Sequence, residues 1–340
     1  MRITKKEGIN LIKTSDLLEL GNTADSIRQK KFGNTTTFII DRNINYTNIC
    51  QNECKFCAFF RRKTHKEAYL LSYDEIMEKV REAVELGATQ VMIQGGLNPE
   101  LGIEYYETML KLIKSNFDIT IHSFTATEIQ YLSKMEGIPV FEILKRLQAA
   151  GLDSLPGGGA EILVDEIRKR ISPYKISSYD WINVMKLAHS IGMKSTATMV
   201  IGFGETLEQR IDHMEKIRQL QDETGGFRAF IMWSFQPNNT QLGGKKVSAF
   251  DYMKTLAFSR IYFDNIDHIQ GSWVTQGEKI GQLTLGFGAD DLGSIMLEEN
   301  VVKAAGTSYD MSTNKMINLI KSTGKIPAQR NTEYKILKYF

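Results

Sequence analysis

From about residue 36 onward, short apolar runs alternate with stretches carrying apolar residues every three or four positions, and this rhythm limits the chain to few architectures. Strands are predicted at 36–40, 44–48, 90–94, 118–122, 152–155, 195–201, 227–235, 269–273 and 287–292. Helices are predicted from 73 and over 103–114, 142–150, 164–170, 181–191, 207–221 and 249–265, with another between the last two strands. A final one at 314–322 is stopped by Gly324 and Pro327. Ser72 suits the N-cap of the first of these, with Glu75 as its capping-box partner, and Ile76, Val80, Ala83 and Val84 share one face. Alternation sustained over eight units implies parallel strands, because each helix must carry the chain back to start the next one. Closed on itself, such a sheet is an α/β (β/α)8 TIM-type barrel. A doubly wound open sheet is the alternative, but no G-x-G-x-x-G follows the first strand.

A barrel of this kind does its chemistry at the C-terminal ends of its strands. The unusual residues gather at those predicted ends: Cys50–Cys57, Gln94-Gly95-Gly96, His122-Ser123, Pro156–Glu161, Gly202–Thr206, Gln236-Pro237 and Asp290-Asp291. The first 35 residues read as helical, at 16–21 and 24–31, and are expected to cap the barrel's N-terminal end. Residues 36–340 then form the barrel with a C-terminal extension.

Basic and acidic side chains nearly balance, 42 against 40, so charge gives no case for nucleic acid or an anionic membrane as partner. No run approaches the ~20 apolar residues of a membrane span. Residues 1–8 lack the apolar core of a signal peptide. The 3 cysteines are an odd number in a large chain, which fits a reducing compartment, the cytoplasm by default.

Those cysteines, Cys50, Cys54 and Cys57, stand within one C-x3-C-x2-C segment. A [4Fe–4S] cluster normally takes four thiolates. Three would leave one iron open to a small molecule. A Cys₃His zinc site with His65 is a competing reading, and so are plain reduced thiols. A non-catalytic electron carrier or zinc-stabilised scaffold would follow from those alternatives.

With Phe56 immediately before the third cysteine, the segment resembles the radical S-adenosylmethionine superfamily. The resemblance implies a [4Fe–4S] cluster on Cys50, Cys54 and Cys57, with S-adenosylmethionine on the open iron. It implies reductive cleavage to a 5′-deoxyadenosyl radical, with the electron arriving from a donor such as flavodoxin or ferredoxin. Gly95-Gly96, with Gln94 and Phe59 beside them, would meet the methionine end. Glu161, after Pro156-Gly157-Gly158-Gly159, would bind the ribose hydroxyls. Arg168 or Arg170 would meet the carboxylate, and the segment around Met199 the adenine. Each also has a plainer reading as turn, solvated helix charge or capped helix start.

Longer segments narrow the resemblance. Trp233–Thr240, Ser272–Gly277, Gly288–Ser294 and Pro327–Arg330 resemble the cyclic dehypoxanthinyl futalosine synthases of the futalosine route to menaquinone, with aminofutalosine and F0 synthases as near relatives. This implies a small-molecule substrate, dehypoxanthine futalosine. The radical would take hydrogen from its ribose, and the sugar carbon would then add to the benzoate ring. A base is needed near that ring, and Asp290 and His122 are the candidates, although an aspartate at a turn and a histidine on an apolar strand are also ordinary structural features.

Overall fold

A computed structural model describes residues 2–340. Two helices, α1 (Lys5–Thr14) and α2 (Leu17–Phe32), precede β1 (Thr35–Ile39) and β2 (Asp41–Ile44). The repeating part follows as α3 (Tyr73–Glu85), β3 (Gln90–Ile93), α4 (Ile103–Asn116), β4 (Thr120–Ile121), α5 (Ala126–Glu136), α6 (Val140–Ala150) and β5 (Ser154–Leu155). It continues through α7 (Asp165–Ile171), α8 (Ser178–Ser190), β6 (Lys194–Ile201), α9 (Leu207–Thr224), β7 (Phe227–Ser234), α10 (Ala249–Tyr262), β8 (His268–Gln270), α11 (Glu278–Leu283) and β9 (Asp291–Ser294). A short turn of helix, α12 (Val301–Ala304), then α13 (Thr313–Lys321), β10 (Ile326–Arg330) and β11 (Ile336–Tyr339) complete the chain.

β1 and β2 are two halves of one stave, interrupted at Ile40. The first half pairs with β9 and the second with β3, both parallel. β3 pairs with β4, and β5, β6, β7, β8 and β9 pair in sequence, all parallel. The step from β4 to β5 is a single parallel bridge between His122 and Ser154, reinforced by Ser123 N–H to the Ser154 carbonyl at 2.9 Å. Hydrogen bonding therefore passes round eight staves and returns to the first, as the alternation implied.

Local chemistry sets the helix ends. Ser72, Ser177 and Thr206 each close a capping box with the third residue beyond, so the first helical N–H groups have partners. α5 is a helix the periodicity reading passed over, although Thr125 caps it, accepting from Glu128 N–H, and Gly137 ends it in a left-handed conformation. The last stave also starts later than expected. A 3₁₀ turn at Thr284–Gly286 and Gly288 at φ +98° hold residues 284–289 out of the sheet. Asp290 and Asp291 consequently lie where β9 begins, at the opposite end of the barrel from the one anticipated.

Both chain ends close the structure. α1 packs on α9 and α10, and α2 lies along α10, so the N-terminal helices cover the outer helical layer. The barrel's N-terminal end is crossed by the C-terminal hairpin. β10 pairs with β1, β11 folds back on β10, and Arg330 donates to both oxygens of Asp291 at 2.6 and 3.0 Å. Thr332 donates to Gln90 at 2.8 Å, and Gln90 and Asp291 are the first residues of their strands.

Candidate active site

The loop from Asn45 to Leu71 leaves β2 at the C-terminal mouth and carries the cysteines. Its path is fixed by backbone pairing: Cys50 N–H donates to Arg61 at 3.1 Å, and Arg61 N–H to Asn48 at 2.7 Å. Asn48 ties the returning strand through Glu67 O and Tyr69 N–H at 2.8 and 2.9 Å. The Arg61 side chain clamps the loop from within, donating to the carbonyls of Ala58 and Phe60, while Arg62 pairs with Glu53. A Cβ on Gly96 would stand 2.2 Å from the Ile49 carbonyl oxygen, so only glycine lets the cysteine loop cross β3 here.

Cys50, Cys54 and Cys57 line one wall of a cavity of about 300 Å³. Burial pushes the Cys57 thiol up to about 11, helped by Cys54 beside it, and burial raises Cys54 as well. Left alone, these groups stay protonated at neutral pH, and a thiolate there needs a cation to hold it. His65 is exposed, with Nδ1 accepting from Glu67 N–H at 3.1 Å. Among the described residues no three His, Cys, Asp or Glu side chains converge on a single metal ion.

The opposite wall comes from the glycine loop after β5. Gly157 is locked to β6, accepting from Thr198 Oγ1 at 2.6 Å, its N–H reaching Thr196 Oγ1 at 3.0 Å. A Cβ at this position would sit 2.6 Å from Thr198 N, so close approach between the loop and β6 requires glycine. The loop delivers Glu161 into the cavity at φ +39°. Glu161 Oε1 accepts from Lys175 Nζ at 2.5 Å, while Oε2 is buried without a partner. An unpaired buried carboxylate oxygen calls for a donor from a ligand, and a pair of ribose hydroxyls fits it. Burial lowers the Lys175 ammonium, but Glu161 and Cys54 outweigh it and raise it overall, so Lys175 keeps its charge between carboxylate and thiols.

Phe59, Gln94, Gly95, Gly96 and Glu161 all line the same cavity as the cysteines. Five other sequence candidates lie elsewhere, among them Arg170, which donates to the Phe203 carbonyl. Arg168 is buried and spends its guanidinium on the carbonyls of Gly159, Ala160 and Ile176, bracing the glycine loop from behind. Met199 is buried and absent from the cavity wall. Side chains alternate along β6, so Val200 faces the cavity and Met199 the helices. Asp290 is buried at the far end, bonded to Arg260, His268 and Ile269 N–H, and these partners hold it below the usual carboxylate range against its burial. His122 accepts from or donates to Ser154 Oγ at 2.7 Å deep in the lumen, and burial, with Arg228 and Arg330, keeps it neutral. Of the tryptophans, Trp233 lines the cavity, while Trp273 is buried with Nε1–H on the Ser294 carbonyl.

Two residues of the wall went unread in the sequence. Lys175 had no motif around it. Glu128 had one, the Thr125-x-x-Glu128 start of α5. Its Oε1 accepts from Tyr46 Oη at 2.8 Å and Gly95 N–H at 3.1 Å, and Oε2 from Thr125 Oγ1 at 2.8 Å. Burial carries its pKa to about 7.

A parallel barrel with three thiols, a glycine-walled cavity and an unpaired carboxylate at one mouth is the frame of a radical enzyme. The chain belongs to the radical S-adenosylmethionine superfamily, whose pattern matches residues 44–217, and is an enzyme of that class. Members of this superfamily in general carry a [4Fe–4S] cluster and use S-adenosylmethionine. Within it the chain falls in a narrower branch, since residues 224–339 match the CofH/MqnC C-terminal region. It is 46% identical to cyclic dehypoxanthine futalosine synthase of Halalkalibacterium halodurans, over 100% of this chain and 92% of that one. The enzyme of the same name from Streptomyces coelicolor is also 46% identical, over 99% of this chain and 86% of that one. A 5-amino-6-(D-ribitylamino)uracil–L-tyrosine 4-hydroxyphenyl transferase of Archaeoglobus fulgidus is 42% identical, over 92% of each chain. Among solved structures, methylornithine synthase shares the fold with a TM-score of 0.77 at 18% identity, covering 96% of this chain and 95% of that one.

Proposed function

We propose that the protein cyclises dehypoxanthine futalosine to cyclic dehypoxanthinyl futalosine. Full-length similarity to two enzymes of that name carries the reading. Cys50, Cys54 and Cys57 would hold the cluster, and Glu161 with its free oxygen the ribose of S-adenosylmethionine. Bound there, the pair supplies a carbon radical able to take a hydrogen atom from the substrate ribose.

The residues of this chain do the rest. Phe59, Trp233 and Phe235 give the cavity apolar walls that exclude water and stray hydrogen donors. Lys175 orients Glu161 by its short ion pair. Closure of the sugar carbon onto the benzoate ring leaves a ring radical that must lose one proton and one electron, the electron passing back to the one-electron redox couple that began the reaction. Glu128, a carboxylate on the cavity wall with a pKa near neutrality, is assigned as the group that takes the proton. The cyclisation reading sets the enzyme in a reducing cytoplasm, with a small one-electron donor such as flavodoxin or ferredoxin.

The test is anaerobic incubation of reconstituted, reduced protein with dehypoxanthine futalosine and S-adenosylmethionine. Cyclised product and 5′-deoxyadenosine are expected together. 5′-Deoxyadenosine without cyclised product, or consumption of tyrosine with 5-amino-6-(D-ribitylamino)uracil instead, would reject the assignment.

A further inference from the structure

Below the cysteine cavity the barrel lumen holds a second space of about 140 Å³, and Gln94 and Trp233 line both. Its walls include Ile39, Met92, Ile231 and Leu292 as well as Arg228. Other deep arginines in the fold have a carboxylate or carbonyl partner, Arg218 included through Glu215 although its Nε too is unpartnered. Arg42 pairs with Glu82 and Glu298, Arg210 with Glu205 and Asp251, Arg260 with Asp290, and Arg330 with Asp291. Arg168 has carbonyls instead. Arg228 has neither. It donates to the Ser154 hydroxyl, its Nε is buried without a partner, and no acid pairs with it among the described residues.

The other titratable groups facing this space are engaged. Asp41 accepts from Ser294 and Gln90, and Glu299 from the amides of Val301, Val302 and Lys303. Arg330 is neutralised by Asp291, His122 is held on Ser154, and Tyr334 stacks between His268 and Arg330. Burial pulls the Arg228 pKa down to about 10, which leaves it charged at neutral pH. A guanidinium has five N–H donors, and leaving a half-buried one, its Nε enclosed, without an ion-pair partner is costly. Trp233 Nε1 and Asn43 Oδ1, on the same walls, are also buried without partners.

We infer that this lower space is the subsite for a carboxylate carried on an apolar ring, with Arg228 as its counterion. The inference deepens the proposed function and rests on it for the identity of the ring, the benzoate arm of the substrate. A carboxylate on the Arg228 fork sets its ring at the junction of the two spaces, against Trp233 and Gln94, where the upper cavity that Glu128 lines begins, and directs the sugar end of the same molecule up toward the cysteine mouth. Arg228 is then a substrate-binding residue that selects for the acid.

Three measurements test this on the reconstituted holoenzyme. First, binding of benzoate alone, followed by calorimetry, is independent of turnover. Arg228→Gln and Arg228→Lys should weaken it at least tenfold, with the cluster spectrum unchanged. Equal affinity in wild type and both variants would overturn the subsite. Second, KM for dehypoxanthine futalosine should rise at least tenfold in Arg228→Gln, and a substrate lacking the carboxylate should show the same penalty in wild type with no further loss in the variant. Continued preference for the acid by Arg228→Gln would also overturn it. Benzoate binding that depends on Arg228, with no cyclised product from any form, would reject the proposed reaction and leave the subsite standing. Thermal melting separates binding from a structural role: Arg228→Gln should melt no lower than wild type, whereas a fold-supporting arginine would melt lower.

Discussion

Lys175 Nζ stands 2.5 Å from Glu161 Oε1, and the other oxygen of the same carboxylate has no partner in the protein. One half of Glu161 is thus anchored and the other half waits for a donor. Charge-assisted hydrogen bonds to a carboxylate contribute about 1.5–3 kcal/mol. Glu161→Gln should therefore raise KM for S-adenosylmethionine by roughly ten- to a hundredfold. The visible spectrum of the cluster should not change. An unaltered KM in uncoupled cleavage assays would remove Glu161 from the ligand.

Cys54 is a buried residue, whereas Cys50 and Cys57 are half-buried. Cys54→Ala should lose the iron–sulfur absorbance after reconstitution, and with it all formation of 5′-deoxyadenosine. Retained turnover would contradict the ligand assignment.

Glu128 supplies a pH signature. Its folded pKa, about 7, lies above its ordinary 4.5, so the folded state prefers the protonated form. Its stabilising effect is complete below pH 4.5 and is lost as pH rises through 7. The loss is at most on the order of 3 kcal/mol. Urea denaturation across pH 4.5–8 should show this decline in wild type and not in Glu128→Gln. The variant should also lose ~10²-fold or more in kcat, along with the inflection near neutrality in its pH profile. A full-rate variant would leave the ring proton to another group.

Asp290 marks where sequence and structure part. It sits on the fully buried Arg260, so Asp290→Ala should cost about 3–5 kcal/mol by leaving that cation uncompensated. In protein that remains folded, kcat should stay within about twofold of wild type. A large fall in kcat with unchanged stability would return Asp290 to the chemistry.

Features that depend on local spacing were legible. The strand–helix rhythm yields the barrel, and the cysteine triplet, Gly95-Gly96 and Glu161 fall on one cavity because each follows a strand end directly. Register was not legible. A strand beginning at Asp291 where 287 was expected exchanges one mouth of the barrel for the other, and a single step along β6 turns Met199 outward and Val200 inward. Arg168 sits close enough in sequence to suggest a ligand contact, but nothing in the sequence shows that three carbonyls take up its donors first. Lys175 and Arg228 owe their roles to neighbours brought in by the fold, so no short pattern announces them, and the Thr125-x-x-Glu128 pattern announces a helix start and not a cavity wall.

The hairpin at residues 326–340, fastened by Arg330 to Asp291 and by Thr332 to Gln90, seals the barrel's floor. A vessel with one mouth imposes a sequence of loading. Whatever occupies the bottom has to enter before the molecule that fills the neck, and it departs last. Residues as far from the thiols as the chain allows thereby schedule the traffic past them.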